Sequence, residues 1–174
     1  MQTFEADIGI VGDKVAAVTA CLPAGRQDIG ATGRWVLPGG IDSHCHIEQL
    51  SGMSIMSAYD WYSATVSAAF GGTTTVIPFA AQHRGKKIPD VLADYAKLAR
   101  AKAVIDYSFH LIVTDPDEIA LSRDLPQAIR DGITSFKVYI TYDLLKLITI
   151  SFWMCWRWRA ERVPWSWYMP KTTT

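Results

Sequence analysis

Two imidazoles stand two positions apart, His44 and His46, at the end of the stretch Val36-Leu37-Pro38-Gly39-Gly40-Ile41-Asp42-Ser43-His44-Cys45-His46. The run leading into them is apolar and strand-like. Side chains on a strand alternate between faces, so His44 and His46 point one way and Cys45 the other. Two nitrogen donors on one face suit a single divalent ion. The His-x-His pattern is short, and two satisfied interior histidines fit it as well. Asp42, just ahead of the pair, reads as a residue that shapes the turn or orients a histidine, and Cys45 as a small buried hydrophobe. Further on, Lys137 lies at a strand end in Thr134-Ser135-Phe136-Lys137-Val138-Tyr139. On its own it reads as a solvated lysine, and Tyr142 as a core or rim aromatic. His83, in the basic loop Gln82 to Lys87, and His110, on a strand, belong to no motif.

These residues need elements to hold them. From Ala6 to Val36, short β-like runs (Asp7 to Val11, Lys14 to Val18, Gly33 to Leu37) alternate with turn residues at Gly12-Asp13, Pro23, Gly25 and Gly30, which predicts small antiparallel strands. After Gly40 strands alternate with helices. The predicted order is strand Ile41 to His46, helix near Ala58 to Phe70, strand Thr73 to Phe79 and helix Ile88 to Ala101. Strand Val104 to Ile112, helix Asp117 to Arg130 and strand Thr134 to Ile140 follow. This α/β alternation implies βαβ units and a parallel sheet. Gly71-Gly72 and Gly132 fall where a left-handed residue ends a helix, and Asp115-Pro116-Asp117 supplies a helix start. Four strands with three helices make half of a (β/α)8 TIM barrel, and His44, His46 and Lys137 fall at strand carboxyl ends, where barrels build active sites. A doubly wound open sheet has the same periodicity. Its usual Gly-rich phosphate turn is missing, because Gly71-Gly72-Thr73 fits neither G-x-G-x-x-G nor a Walker motif.

Composition narrows the classes of partner. The chain has 174 residues, 49% hydrophobic and 20% charged, a globular composition with enough residues for a sizeable core. Lysine plus arginine equal aspartate plus glutamate at 17 each, which gives no electrostatic argument for a nucleic acid or an anionic membrane. Cys21, Cys45 and Cys155 lack zinc-finger or Cys-x-x-Cys spacing and suit a reducing compartment, so a cytoplasmic address is expected. The opening residues lack a signal-peptide pattern, and no run reaches the roughly 18 apolar residues of a membrane span.

From Ile148 the composition changes. Five of the seven tryptophans lie between Trp153 and Trp167, mixed with Arg, Met and Cys and without helix or strand period. A basic, Trp-rich membrane-surface segment is one reading. A shifted reading frame is the other. Met154 to Arg159 can be ATG TGC TGG CGC TGG CGG, which one base earlier reads Asp-Val-Leu-Ala-Leu-Ala, ordinary helix text. Trp165 to Lys171 can be TGG TCA TGG TAC ATG CCG AAA, whose neighbouring frame reads Met-Val-Met-Val-His-Ala-Glu, a strand ending in His. The frame shift recovers helix, strand and histidine together, and we favour it.

With His44 and His46, Phe70-Gly71-Gly72-Thr73-Thr74-Thr75 and Thr134 to Tyr139 taken together, the chain resembles the dihydropyrimidinase/D-hydantoinase family of cyclic amidohydrolases, over roughly Phe4 to Leu147. The resemblance implies residues 1–38 as part of a small β-sandwich, 39–147 as the first four βα units of a metal-dependent barrel, and 148–174 as an out-of-frame tail: an incomplete domain. It implies a site with two zinc ions, His44 and His46 ligating the first and Lys137 bridging both as a carbamate. Tyr142 would hydrogen-bond the substrate and its developing oxyanion. The chemistry is coherent, since a carbamate is an anionic bidentate oxygen ligand and two cations can activate water and polarise an amide carbonyl. The implied reaction opens a dihydropyrimidine or hydantoin ring to an N-carbamoyl amino acid, with a small cyclic amide as partner, no nucleic acid or membrane, and a homo-tetramer as assembly.

The family also uses two later histidines and an aspartate, so this truncated chain retains only part of the ligand set and is expected to be inactive alone and prone to aggregation or degradation. Alternatives are a non-catalytic dihydropyrimidinase-related scaffold, which should have lost the early ligands, and a neighbouring cyclic amidohydrolase such as allantoinase or dihydroorotase. Sequencing the coding DNA across codons 145–174 in all frames is expected to reveal one missing base near codon 148 and an open frame encoding His-Ala-Glu. An intact frame with no such continuation would make the Trp-rich tail genuine.

Overall fold

The structure is a computed structural model that describes residues 3–51, 54–139 and 147. Tyr142, Ile140 at the end of the last predicted strand, and the tail 148–174 lie outside them. The chain divides into two compact units, Met1–Pro38 and Gly39–Thr174.

In the first unit, β1 (Asp7–Val11) and β2 (Lys14–Thr19) pair antiparallel about the turn at Gly12, whose φ of +64° suits glycine. Leu22 N–H donates to the Asp7 carboxylate at 2.9 Å and ties the following segment back to β1. The third predicted strand, Gly33 to Leu37, does not form. A turn closed by Arg34 N–H on the Ala31 carbonyl at 3.0 Å, with Gly33 at φ +71°, occupies its start, and Trp35, Val36 and Leu37 are all more than half exposed. Apolar, β-prone residues make a strand only where another strand accepts their main-chain bonds.

The second unit contains β3 (Gly40–Cys45), α1 (Trp61–Phe70), β4 (Thr73–Ala81), α2 (Ile88–Lys102), β5 (Asp106–Tyr107), β6 (His110–Ile112), α3 (Leu125–Arg130) and β7 (Phe136–Lys137). The sheet is parallel and runs β3-β4-β6-β7, with β5 also on β4. Each strand lies beside its neighbour in sequence. A doubly wound sheet reverses direction partway, whereas a barrel adds strands in order. The strand order therefore decides between the two architectures in favour of a half-barrel, an incomplete domain with β3 and β7 at the edges of the described sheet.

Three elements depart from their predicted spans. Val104 to Ile112 is interrupted, and the break between β5 and β6 is bridged by Ser108 N–H on the Val76 carbonyl at 3.1 Å. Asp117 to Arg130 begins with the Asp117 carboxylate accepting from Ala120 N–H and passes through a π-helical turn at Ala120–Asp124 before α3. Pro126 has no N–H for the carbonyl one turn back, a recognised cause of such an irregularity. Of Thr134 to Ile140, only Phe136–Lys137 is strand among the described residues. Other punctuation holds: Gly72 and Gly132 are left-handed at φ +82° and +92°. At the start of α1, a position the sequence did not single out, the Asp60 carboxylate caps the helix by accepting from Ser63 N–H at 2.9 Å.

Gly39 is set by contact. A Cβ there would collide with the Thr74 side chain on β4, so the glycine permits close approach of the segment entering β3. The main core lies between helices and sheet, around Trp61, Ala80, Ile88, Leu111 and Val113, each at most 1% exposed. Trp61 meets Tyr107 and Phe109 edge-on at 5.3 and 5.9 Å. A smaller cluster of Phe79, Ala81 and Ile112 occupies the other face of the sheet. β4 is thus covered on both faces, as a central parallel strand requires. Glu48, at the left-handed φ of +45°, accepts from Trp61 N–H and from Lys102, joining the start of α1 to the end of α2.

Replacing Trp61 by alanine is expected to cost about 3–5 kcal/mol of stability, and replacing Phe70, which is 91% exposed, less than about 0.5 kcal/mol. Urea unfolding monitored by circular dichroism measures both, and equal effects would contradict the placement of the core.

Candidate metal centre

The ladder between β3 and β4 breaks where the candidate ligands begin. Asp42 pairs with Val76 and Cys45 with Pro78, so β3 carries one extra residue between those points. This β-bulge lies opposite the Val76–Pro78 stretch of β4. The Asp42 carboxylate fills part of the gap by accepting from His44 N–H at 3.0 Å. Beyond the bulge, the rings of His44 and His46 lie 5.9 Å apart, centroid to centroid, at 75°. Both contact the ring of Phe79, His44 edge-on at 4.8 Å and His46 stacked at 5.3 Å. The Lys137 amine sits over the same phenyl ring at 4.3 Å and lies 5.1 Å from the Tyr139 ring.

His110 completes the group, and its sequence belongs to no motif. It is the register partner of Phe79 and its ring lies 5.0 Å from the phenyl. Its Nδ1 pairs with Ser135 Oγ, and its Nε2 lies 2.8 Å from the Ser43 carbonyl oxygen. The available signal was positional: in a barrel, a histidine near the carboxyl end of the third strand occupies the rim that the other strands use for chemistry. Phe79, at the carboxyl end of the second, carried no polar signal at all. Below this rim His110, Ser108, Ile77, Thr134 and Ser135 line a cavity of about 270 Å³.

The loop after β3 steadies His46. Its Nδ1 pairs with Gln49 Oε1, and Gln49 is buried and held through its main chain by Ser57. An amide oxygen only accepts, so Nδ1 carries the proton and the Nε2 lone pair is left for a cation. Electrostatics agree with neutral imidazoles. His44 lies below the ordinary histidine value, chiefly through desolvation, with Lys137, His46 and His110 adding positive charge and Asp42 opposing them. Desolvation also lowers His110, with Lys137 adding to it and the bond to Ser43 working against it. Burial and the Asp42 charge push the Cys45 thiol up to about 11, and it packs against the main core. Cys45 is thus a protonated apolar filler.

A zinc ion bound by two imidazoles at about 2.0–2.1 Å would place their centroids roughly 5 Å apart, close to the 5.9 Å seen. The spacing of the two rings thus leaves room for one cation between them, while Lys137 could join only after losing its charge. Among the described residues no cluster of three or more His, Cys, Asp or Glu is arranged to hold a metal, so the set is partial. Tyr142 lies outside the described residues. His83 stays apart, in a turn closed by Lys86 N–H on its carbonyl at 3.0 Å. No described helix is long and apolar enough to cross a membrane.

Parallel strands added in sequence, with nitrogen donors collected at their carboxyl ends, define part of a (β/α)8 barrel with a candidate metal centre at its rim. Comparison with known proteins specifies the group. No protein-family model matches the chain. Curated relatives include the D-hydantoinase of Ralstonia pickettii, 40% identical over 148 residues (82% of this chain, 31% of that protein), and that of Rhizobium radiobacter, 42% identical over 149 residues (82% and 31%). Among solved structures, dihydropyrimidinase from Brevibacillus agri superposes with a TM-score of 0.85 at 36% identity, over 92% of this chain and 35% of that one. The chain is a homologue of the D-hydantoinases and dihydropyrimidinases that spans about a third of the length of the relatives it matches.

The depressed histidines predict a pH dependence. A histidine whose folded value lies below 6.5 binds fewer protons folded than unfolded as pH falls past 6.5, so its contribution is complete above 6.5 and is lost on acidification towards the lower folded value. The metal-free chain should therefore lose urea resistance between about pH 7 and about pH 5. His110→Asn should flatten that slope more than His44→Asn, because His44 is the more exposed. A slope unchanged in both variants would refute the assignment.

Proposed function

We propose that this chain carries the first part of the metal site of a cyclic-amide hydrolase, which opens a dihydropyrimidine or hydantoin ring to an N-carbamoyl amino acid. The observation that carries this reading is the convergence of His44 and His46, from the end of β3, and Lys137, from β7, on the ring of Phe79 at the carboxyl end of β4. The names of the homologues support the substrate class.

His44 and His46 would hold the first of two zinc ions, His46 through Nε2 while Gln49 keeps its proton on Nδ1. Lys137, as a carbamate, would reach both ions. Bound there, the pair of cations would supply Lewis-acid polarisation of the amide carbonyl and a water of lowered pKa. Tyr142 would donate to the carbonyl oxygen as negative charge develops on it. Phe79 closes one side of the site to water, which strengthens each of these interactions. Retention of both histidines and the lysine argues against the scaffold reading. The partial ligand set argues that residues 1–174 alone do not turn over substrate.

Cobalt(II) absorption is the direct test. The 174-residue chain should bind cobalt with the visible bands of a nitrogen-ligated ion, and His44→Ala with His46→Ala should weaken binding about a hundredfold or more. Dihydrouracil and 5-substituted hydantoins should not be hydrolysed measurably. Unchanged binding in the double variant would refute the site, and enzyme-like turnover would refute the inactivity.

A further inference from the structure

The hydrogen bonds of the His110 side chain connect the segment of the two candidate histidine ligands to that of the lysine. Ser43, whose carbonyl lies 2.8 Å from Nε2, immediately precedes His44. Ser135, whose hydroxyl pairs with Nδ1, lies two positions before Lys137 and, by strand alternation, on the same face. A carbonyl oxygen can only accept, so Nε2 carries the proton, Nδ1 offers its lone pair and the Ser135 hydroxyl donates to it. The imidazole is thereby held in one tautomer with both nitrogens occupied, and it is not free to ligate a metal as well.

The place of these bonds gives them their weight. β3 is an edge strand whose ladder with β4 is broken between Asp42 and Cys45. The register of the sheet therefore positions the Ser43–His44 peptide poorly, and the bond from His110 supplies a fixed point within the gap. At the other end β7 meets β6 through Phe136 on Leu111 and Lys137 on Ile112, adjacent to His110. One ring thus sets the spacing between the first histidine ligand and the lysine.

We propose that His110 is a positioning residue, working with Ser135, that fixes the separation of the His44/His46 pair from Lys137 across the sheet. The proposal rests on the metal-centre reading above. Metal sites demand placement within about 0.5 Å, and residues that orient ligands typically contribute 10–100-fold to metal affinity. Ser135→Ala removes the donor to Nδ1 while deleting a single oxygen; Ser135→Thr keeps the hydroxyl. His110→Ala removes the whole bridge.

Cobalt affinity and urea-unfolding midpoint should be measured together on the 174-residue chain and these variants. The proposal expects cobalt binding to weaken about tenfold or more in Ser135→Ala and His110→Ala, with affinity largely restored in Ser135→Thr. The weakening should exceed anything the fraction of unfolded chain explains. Full cobalt affinity in folded Ser135→Ala would overturn the positioning role while leaving the metal centre intact. Equal weakening in Ser135→Ala and Ser135→Thr would also overturn it, because shape rather than the hydroxyl would then matter. If the parent chain binds no cobalt, or binds it equally without His44 and His46, the metal-centre reading fails and this proposal fails with it. If His110→Ala does not fold, Ser135→Ala and Ser135→Thr decide.

Discussion

A parallel sheet must find a donor for its main-chain carbonyls, and at Pro78 it cannot. Proline in a central strand is normally excluded for that reason, yet Pro78 lies within β4, fully buried and beside β3. The neighbouring strand bulges by one residue at that point. The bulge turns the chain that carries His44, leaves the Asp42 carboxylate to take up a main-chain N–H, and leaves the Ser43 carbonyl to a side chain from β6. The placement of the chemistry-bearing residues follows from that one-residue bulge in β3.

Phe79, the next residue, turns that geometry into an environment. Its ring is shared by His44, His46, His110 and Lys137. A phenyl face attracts the positive lysine, at about 0.5–2 kcal/mol depending on desolvation, but cannot hydrogen-bond an imidazole. The ring therefore gives the imidazoles contact without a counter-charge of its own. At His44, desolvation and the nearby amine outweigh Asp42 and favour the neutral form, the only form with a lone pair to offer a cation.

The strands and helices of the second unit were legible because hydrophobic period and end signals coincided. Gly72, Gly132 and Asp117 mark boundaries that a reader of the sequence can use, and β4 with α2 follow their apolar patterns closely. The segment at Gly33–Leu37 was misread because its apolar, β-prone residues say nothing about whether a partner strand exists. The interruption at Ser108-Phe109 was missed because it depends on how a neighbouring strand meets the chain, and the π-turn before Pro126 because the apolar period runs through it while the proline's missing N–H acts one turn back. At the site, His44 and His46 stand out by spacing and Lys137 by its place at a strand end. Phe79 and His110 do not, since register across strands, rather than distance along the chain, brings them in.

The sequential strand order also bears on how the molecule is made. Each strand docks on one that left the ribosome before it, so the sheet can grow in the direction of synthesis through short loop closures, without waiting for a distant segment to return. β3, which carries His44 and leads into His46, emerges early and gains β4 as its neighbour, yet its bulge acquires the bond from His110 only when β6 arrives. Ser135 and Lys137 come later still. Along such a path the core behind the sheet can consolidate while the rim in front remains unfinished, and the separation between the nitrogen donors becomes definite only with the last described strand.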